Sequence, residues 1–168
     1  YAPGASVVDA VRALTPKLDR LPERPAIDLV QAWLASHAFE EWARRPRESW
    51  PLVRLADEHA DRIGSELRIA HISAETMLKQ IERHPELDWQ DYRLAQEVVS
   101  NASHVVQDRP GALVFAQIRE DEATGGYVLV VKATRTGKGL FVTSYRRLSR
   151  REIDRDRALR RLLDRDGA

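Results

Sequence analysis

Three stretches in the last third of the chain place lysine, arginine, threonine and tyrosine at alternate positions, the spacing at which a strand presents side chains to one side. Divided this way, residues 112–119 give Leu113, Phe115, Gln117 and Arg119 as one set, residues 127–134 give Val128, Val130, Lys132 and Thr134, and residues 140–146 give Phe141, Thr143 and Tyr145. With the apolar sets turned to the core, one open face carries Gln117, Arg119, Lys132, Thr134, Thr143 and Tyr145, and Arg146 follows directly. Such a face suits phosphodiester chemistry. Lysine and arginine attract the phosphate and stabilise the charge that grows in its pentacoordinate transition state. Hydroxyls donate to nonbridging oxygens, and a tyrosine ring can stack on a base. The same residue types are also ordinary on a solvated sheet surface, so composition alone does not decide between the two.

Cleaving RNA without a metal needs acid–base groups that work near neutral pH, which points to histidine. The chain has five. His37 lies inside a helical pattern, and His59 and His71 sit in or beside short elements, so structural roles are expected for all three. His84 ends a helix just before Pro85, where its charge also favours the negative end of the helix dipole. His104 follows the polar turn SNAS and enters an edge strand, from which it could reach the open face. No metal ligand set is readable: HExxH spacing is absent and no carboxylate cluster stands out. No Gly-x-Gly-x-x-Gly is present, and the TGKG stretch joins two strands rather than a strand and a helix, so no cofactor is expected.

Composition narrows the classes further. Zero cysteines removes disulfides, thiolate nucleophiles and cysteine-based zinc sites, without fixing the compartment. No window approaches the ~18 consecutive apolar residues of a membrane span, and no basic segment precedes an apolar stretch at the start, as a signal peptide requires. The opening Tyr-Ala-Pro-Gly, without methionine, fits a fragment of a longer polypeptide as well as a complete product. The net charge of +1 conceals an asymmetry, because residues 126–168 hold 12 Lys/Arg against 5 Asp/Glu. A basic C-terminal part attached to an acidic N-terminal part suggests a polyanionic partner, although the arginines of 150–165 also alternate with aspartates as on a solvated helix.

The elements that must position these residues read as α+β. A first helix is expected from Val7, Val8, Val11 and Leu14, interrupted at Pro16. A second starts near Pro25, buries Leu29, Val30, Trp33, Leu34 and Trp42, and stops before Pro46. The charged stretch RRPRESWP suggests a boundary, giving a helical segment over 1–47 and a second domain over 48–168. WPLVRLA and LRIAHI read as short strands with a short helix or turn between them. Ser73 caps a helix that ends at His84, and Asp88 caps another carrying Tyr92, Ala95, Val98 and Val99. Three antiparallel strands follow, joined by EDEATGG and TGKG, with HVVQ as a fourth, edge strand. A charged helix with Ile153, Leu159, Leu162 and Leu163 closes the chain.

From about Trp50 onward, the order of RIAHISAETMLKQIERHPELDWQDYRLAQEVV, SNASHVVQD and GGYVLVVKATRTGKGLFVTSYRRL resembles the phage-associated branch of the barnase–EndoU–colicin–RelE (BECR) nuclease superfamily. The resemblance covers about 70% of the chain and rests on the order of motifs. It implies two short helices followed by a four-stranded antiparallel sheet. It also implies a toxin-like RNase activity of phage or polymorphic-toxin origin, acting in a cytoplasm it reaches from another cell or with a phage particle. His104 or His84, Lys132, Thr143 and Tyr145 then become the expected catalytic set, with Arg119, Gln117, Thr134 and Arg146 holding substrate. RNA (tRNA included) is the expected partner, together with a cognate immunity or antitoxin protein. The competing expectation is a catalytically silent nucleic-acid- or protein-binding module of a phage-derived protein. A nucleotide transferase is a third, for which no cofactor loop is visible.

Overall fold

A computed structural model describes residues 3–120 and 124–166. Among these the chain is α+β, with eight helices and one six-stranded sheet, two strands more than expected. In chain order the elements are α1 (Pro3–Leu18), α2 (Glu23–Leu34), α3 (His37–Arg44), β1 (Ser49–Arg54), α4 (Asp57–Arg62), β2 (Ile69–Ser73) and α5 (Ala74–Arg83). They continue with α6 (Trp89–Arg93), α7 (Ala95–Ser100), β3 (His104–Gln107), β4 (Ala112–Ile118), β5 (Gly126–Ala133), β6 (Leu140–Leu148) and α8 (Glu152–Asp166). Strand order is β1-β2-β6-β5-β4-β3, so the two early strands extend the sheet through a parallel contact of β2 with β6, and the sheet is mixed.

Local chemistry explains most boundaries. The Ser73 hydroxyl accepts from the Thr76 amide at the start of α5, and Asp88 forms a reciprocal capping box with Asp91 on α6. Three boundaries differ from expectation, the first being that the helix capped by Asp88 ends at Arg93 and a separate helix starts at Ala95. Helix α1 runs through Pro16, while the Thr15 hydroxyl donates to the Val11 carbonyl at 2.6 Å. The single helix expected from Pro25 to Pro46 breaks at Ser36, whose hydroxyl donates to the Trp33 carbonyl at 2.6 Å. The side chains of Val7 and Val8 and residues 121–123 of the β4–β5 loop lie outside the described residues.

The principal core lies between one side of the sheet and helices α2, α3, α5, α6 and α7. Phe39 of α3 sits 5.7 Å from Trp50 of β1, 6.0 Å from Trp89 and 6.0 Å from Tyr92 of α6, ring centre to ring centre. Residues before 47 thus bury their aromatics in the same core as the sheet. A second, smaller core lies on the opposite side. There Leu159 and Leu162 of α8 cover Val106, Val114, Ala116, Val128 and Leu148. Ile153 and Leu163, expected on the buried side of α8, are exposed.

Two glutamines complete strand edges. The Gln96 side-chain amide accepts from the Arg54 amide at 2.7 Å and donates to the Arg54 carbonyl at 2.9 Å. Gln80 does the same for Tyr145, accepting from its amide at 3.2 Å and donating to its carbonyl at 2.6 Å. Each buried primary amide imitates the peptide group of a neighbouring strand, so buried backbone groups without a strand beside them are still paired.

Candidate functional site

The open face has a different membership from the one that simple alternation gives. Between Val130 and Val131 the β5–β6 register shifts, with Ser144 opposite Val130 and Val142 opposite Val131. Thr143 is the extra residue of this bulge, and a bulge reverses the sidedness of everything beyond it. Phe141 therefore shares a side with Lys132, Ser144 and Arg146, while Tyr145 turns to the principal core. Tyr145 is 0% exposed and is corrected from open face to core. Gln117 stands opposite Tyr127 on the same inner side, 7% exposed, and is corrected likewise. Alternation misled on β4 because both its sides are apolar: Leu113 and Phe115 face the main core, and Val114 and Ala116 face α8.

Of the expected catalytic set, the open face brings together Lys132 and Thr143, both exposed. Thr134 lies at the adjoining hairpin, where its hydroxyl accepts from the Gly139 amide at 2.9 Å and so shapes the turn. Arg146 is farther along β6 and lines a cleft of about 230 Å³ with Ala158, Arg161 and Leu162 of α8. His104 pairs with Ala116, which pairs with Val128. It shares the outer side with Lys132, but four residues along the strands, or about 13 Å. His84 ends α5 on the inner side, its Nδ1 3.4 Å from a Glu86 carboxylate oxygen. Arg119 belongs to the inner end of the sheet, 3.2 Å from a Glu97 oxygen. The expected set is thus split between two sides of the sheet.

What the open half presents instead is a row across three strands: Lys132 on β5, Phe141 on β6 and His71 on β2, in register. Phe141 is 36% exposed, an aromatic set on the sheet between a cation and an imidazole. A Cβ placed on Gly139 would come within 3.0 Å of the Phe141 ring and 2.7 Å of the Thr134 methyl, so glycine lets the ring lie against the turn. The hairpin tip is anchored by the Glu66 amide donating to the Gly137 carbonyl at 2.8 Å. His71 is half-buried, with Nδ1 3.4 Å from the Ser49 hydroxyl. Burial outweighs the attraction of Asp19 and pushes its pKa down to about 4, leaving a neutral imidazole near pH 7. From Thr124 to Arg151 the chain carries seven Lys/Arg and no Asp/Glu, so the strip has no carboxylate of its own strands to repel a phosphate.

Sequence reasoning missed Phe141 and set His71 aside as structural. The signal for Phe141 was an aromatic beside a hydroxyl-rich run, TSY, in which a bulge is tolerated. His71 joins the row through a parallel pairing between distant segments, which no local pattern encodes.

The inner side holds a closed polar network. Asp91 accepts from the Tyr127 hydroxyl at 2.5 Å, from Arg147 Nε and Nη2 at 3.1 and 2.6 Å, and from the Asp88 amide at 2.8 Å. The Tyr145 hydroxyl donates to the Asp91 carbonyl at 2.6 Å, and its ring stacks on Tyr127 at 5.3 Å. Burial pulls the Asp91 carboxyl upward, but the hydrogen bonds from Arg147, Tyr127 and Asp88 and the Arg147 charge prevail and hold it below its ordinary range. Burial likewise raises Tyr145 well above the usual phenol value and Tyr92 to about 12. Both Asp91 carboxylate oxygens are engaged within the protein, which marks the network as a keystone of the fold rather than a substrate site.

Among the described residues no group of three His, Asp or Glu could hold a metal ion. Nor is any helix among them long and apolar enough to cross a membrane. No family model matches the chain, and comparison with curated proteins and with solved structures gives no match.

Proposed function

We propose that the domain is a metal-independent endoribonuclease whose substrate lies across the open half of the sheet. The observation that carries this reading is the in-register row Lys132–Phe141–His71 beside the Thr143 bulge, within a stretch that is basic and free of carboxylates. In this reading a base stacks on Phe141, and Lys132 and the Thr143 hydroxyl hold the scissile phosphate. The ribose 2′-hydroxyl attacks the adjacent phosphorus, and the bond to the departing 5′-oxygen breaks. Neutral His71 accepts the 2′-hydroxyl proton, and water protonates the leaving oxygen. The motif order that resembles BECR nucleases supports the same reaction and a toxin-type role in a recipient cytoplasm.

The decisive experiment incubates the folded protein with tRNA and total RNA in EDTA. Cleavage that survives chelation is expected. A folded protein that cleaves no RNA would sink the enzyme reading. One observation favours a silent RNA-binding module as the second reading: neither His84 nor His104 joins the strip, which leaves His71 as its one histidine among the described residues. Retained binding with no turnover selects that module. A toxin should also have an inhibitor that covers the strip with carboxylates. Co-expression with a neighbouring gene that relieves growth arrest is the expected result, and harmless expression of the active chain alone counts against the role.

A further inference from the structure

On the helix side of the sheet, away from the basic strip, a cleft of about 340 Å³ opens between α3, α5 and α6. Met77, Ile81, Leu87, Trp89 and Tyr92 give it an apolar lining. Its polar groups are few and of one kind: Arg44 at the end of α3 and His84 at the end of α5. Tyr92 turns its hydroxyl inward to Gln80 and leaves its ring to the cleft wall. Arg44 is exposed and makes no ion pair among the described residues, unlike its neighbours Arg47 and Arg93. Ile81 at the rim is 44% exposed. The space is of the order a single ring or branched chain fills, and concave apolar sites with a few convergent polar groups are where small ligands bind.

We infer that this cleft binds a small apolar carboxylate, with its aryl or branched alkyl body against Met77, Ile81 and Trp89 and its carboxylate paired with Arg44. Charge complementarity selects the ligand class. A neutral body alone would leave the guanidinium unmatched, and a cation would meet Arg44 at the mouth. Among the described residues no carboxylate lines the cleft, and the nearby Glu86 carboxylate lies 3.4 Å from His84 Nδ1 rather than on the guanidinium. This inference is independent of the RNase reading, because no residue of the strip lines the cleft.

The test titrates the folded protein with phenylbutyrate and, separately, with neutral phenylbutyramide, following tryptophan fluorescence and amide chemical shifts. Phenylbutyrate is expected to bind with Kd on the order of 1 mM, as a ligand this size in a preformed cleft does, with shifts confined to α3, α5 and α6. The amide should bind at least fivefold more weakly. Arg44→Gln, an exposed substitution, should erase that difference, and Ile81→Glu, which sets a carboxylate at the mouth, should abolish phenylbutyrate binding. Equal affinity for acid and amide would overturn the inference, as would shifts that map to the basic strip or no binding at 10-fold the expected Kd. Circular dichroism of both variants shows whether they keep the fold. If either unfolds, the acid–amide comparison on the unaltered protein still decides.

Discussion

The two sides of the sheet hold polar residues for opposite purposes. On the inner side, Asp91, Tyr127, Tyr145 and Arg147 are bonded to one another, with both carboxylate oxygens of Asp91 engaged. On the outer side, Lys132, Phe141 and Thr143 are exposed on a rigid strand pair, with no carboxylate near them in sequence. Arginine occurs on both sides of β6, with Arg147 in the inner network and Arg146 on the outer side, so residue type does not reveal which side carries function. Satisfaction does. A polar group whose partners are all internal stabilises the fold, and one presented without them is available for chemistry.

Disrupting the inner side should have the largest effect. Asp91→Ala leaves Arg147, the Tyr127 hydroxyl and the Asp88 amide without their acceptor and should cost about 3–5 kcal/mol, the usual penalty for removing one partner of a buried ion pair. Urea unfolding measures it, and a loss under 1 kcal/mol would deny the network its structural role. Lys132→Ala tests the outer side. It should reduce RNA cleavage by ~10²-fold, the size expected for one well-placed donor, while stability changes by less than about 1 kcal/mol. Intact cleavage, or unfolding, would move the site elsewhere.

Titration separates the two sides again. The fold prefers neutral His71, because its pKa falls from 6.5 to about 4. Stability is therefore undiminished above pH 6.5 and declines as pH drops toward 4, by about 2–3 kcal/mol before allowance for partial exposure. Asp91 acts in a lower window: its depressed pKa stabilises the fold above its ordinary 3.8, and that contribution is lost as pH falls through the folded value. His71→Asn should flatten the first window and spare the second, as read by thermal melts across pH. The smallest effect is expected at Phe141. Phe141→Ala should weaken single-stranded RNA binding by roughly tenfold, since base stacking contributes ~1–3 kcal/mol. Phe141→Trp should keep it, and equal affinity of the alanine variant would remove stacking from the account.

The sequence made the elements legible where local chemistry governs them. Ser73, Asp88 and Pro85 delimit helices, and TGKG delimits a hairpin, because caps and turns act over three or four residues. The failures are non-local. The bulge at Thr143 turned Tyr145 inward, and the covering of β4 on both sides turned Gln117 inward. The parallel contact of His71 with Phe141 joins segments 70 residues apart and gave no periodic signal. About half of the expected open face, Lys132, Thr134 and Thr143, lies on one side of the sheet together with Arg146, while the histidines expected to serve it do not reach Lys132.

The glutamine amides of Gln80 and Gln96 carry a consequence for how this chain meets copies of itself. A strand with unpaired backbone groups is a template for recruiting another chain. At Tyr145 the place beside β6 that β2 leaves vacant is filled by a side chain from α5, and at Arg54 by one from α7. These side chains act as stoppers in slots that an exchanged strand would otherwise enter. Glutamate in either position would replace the amide donor by an oxygen facing the strand carbonyl, so Gln80→Glu should open that slot and favour strand-swapped species or aggregates. Size-exclusion chromatography after refolding at rising concentration reads this out, and an unchanged elution profile would show that the slot is guarded by something else.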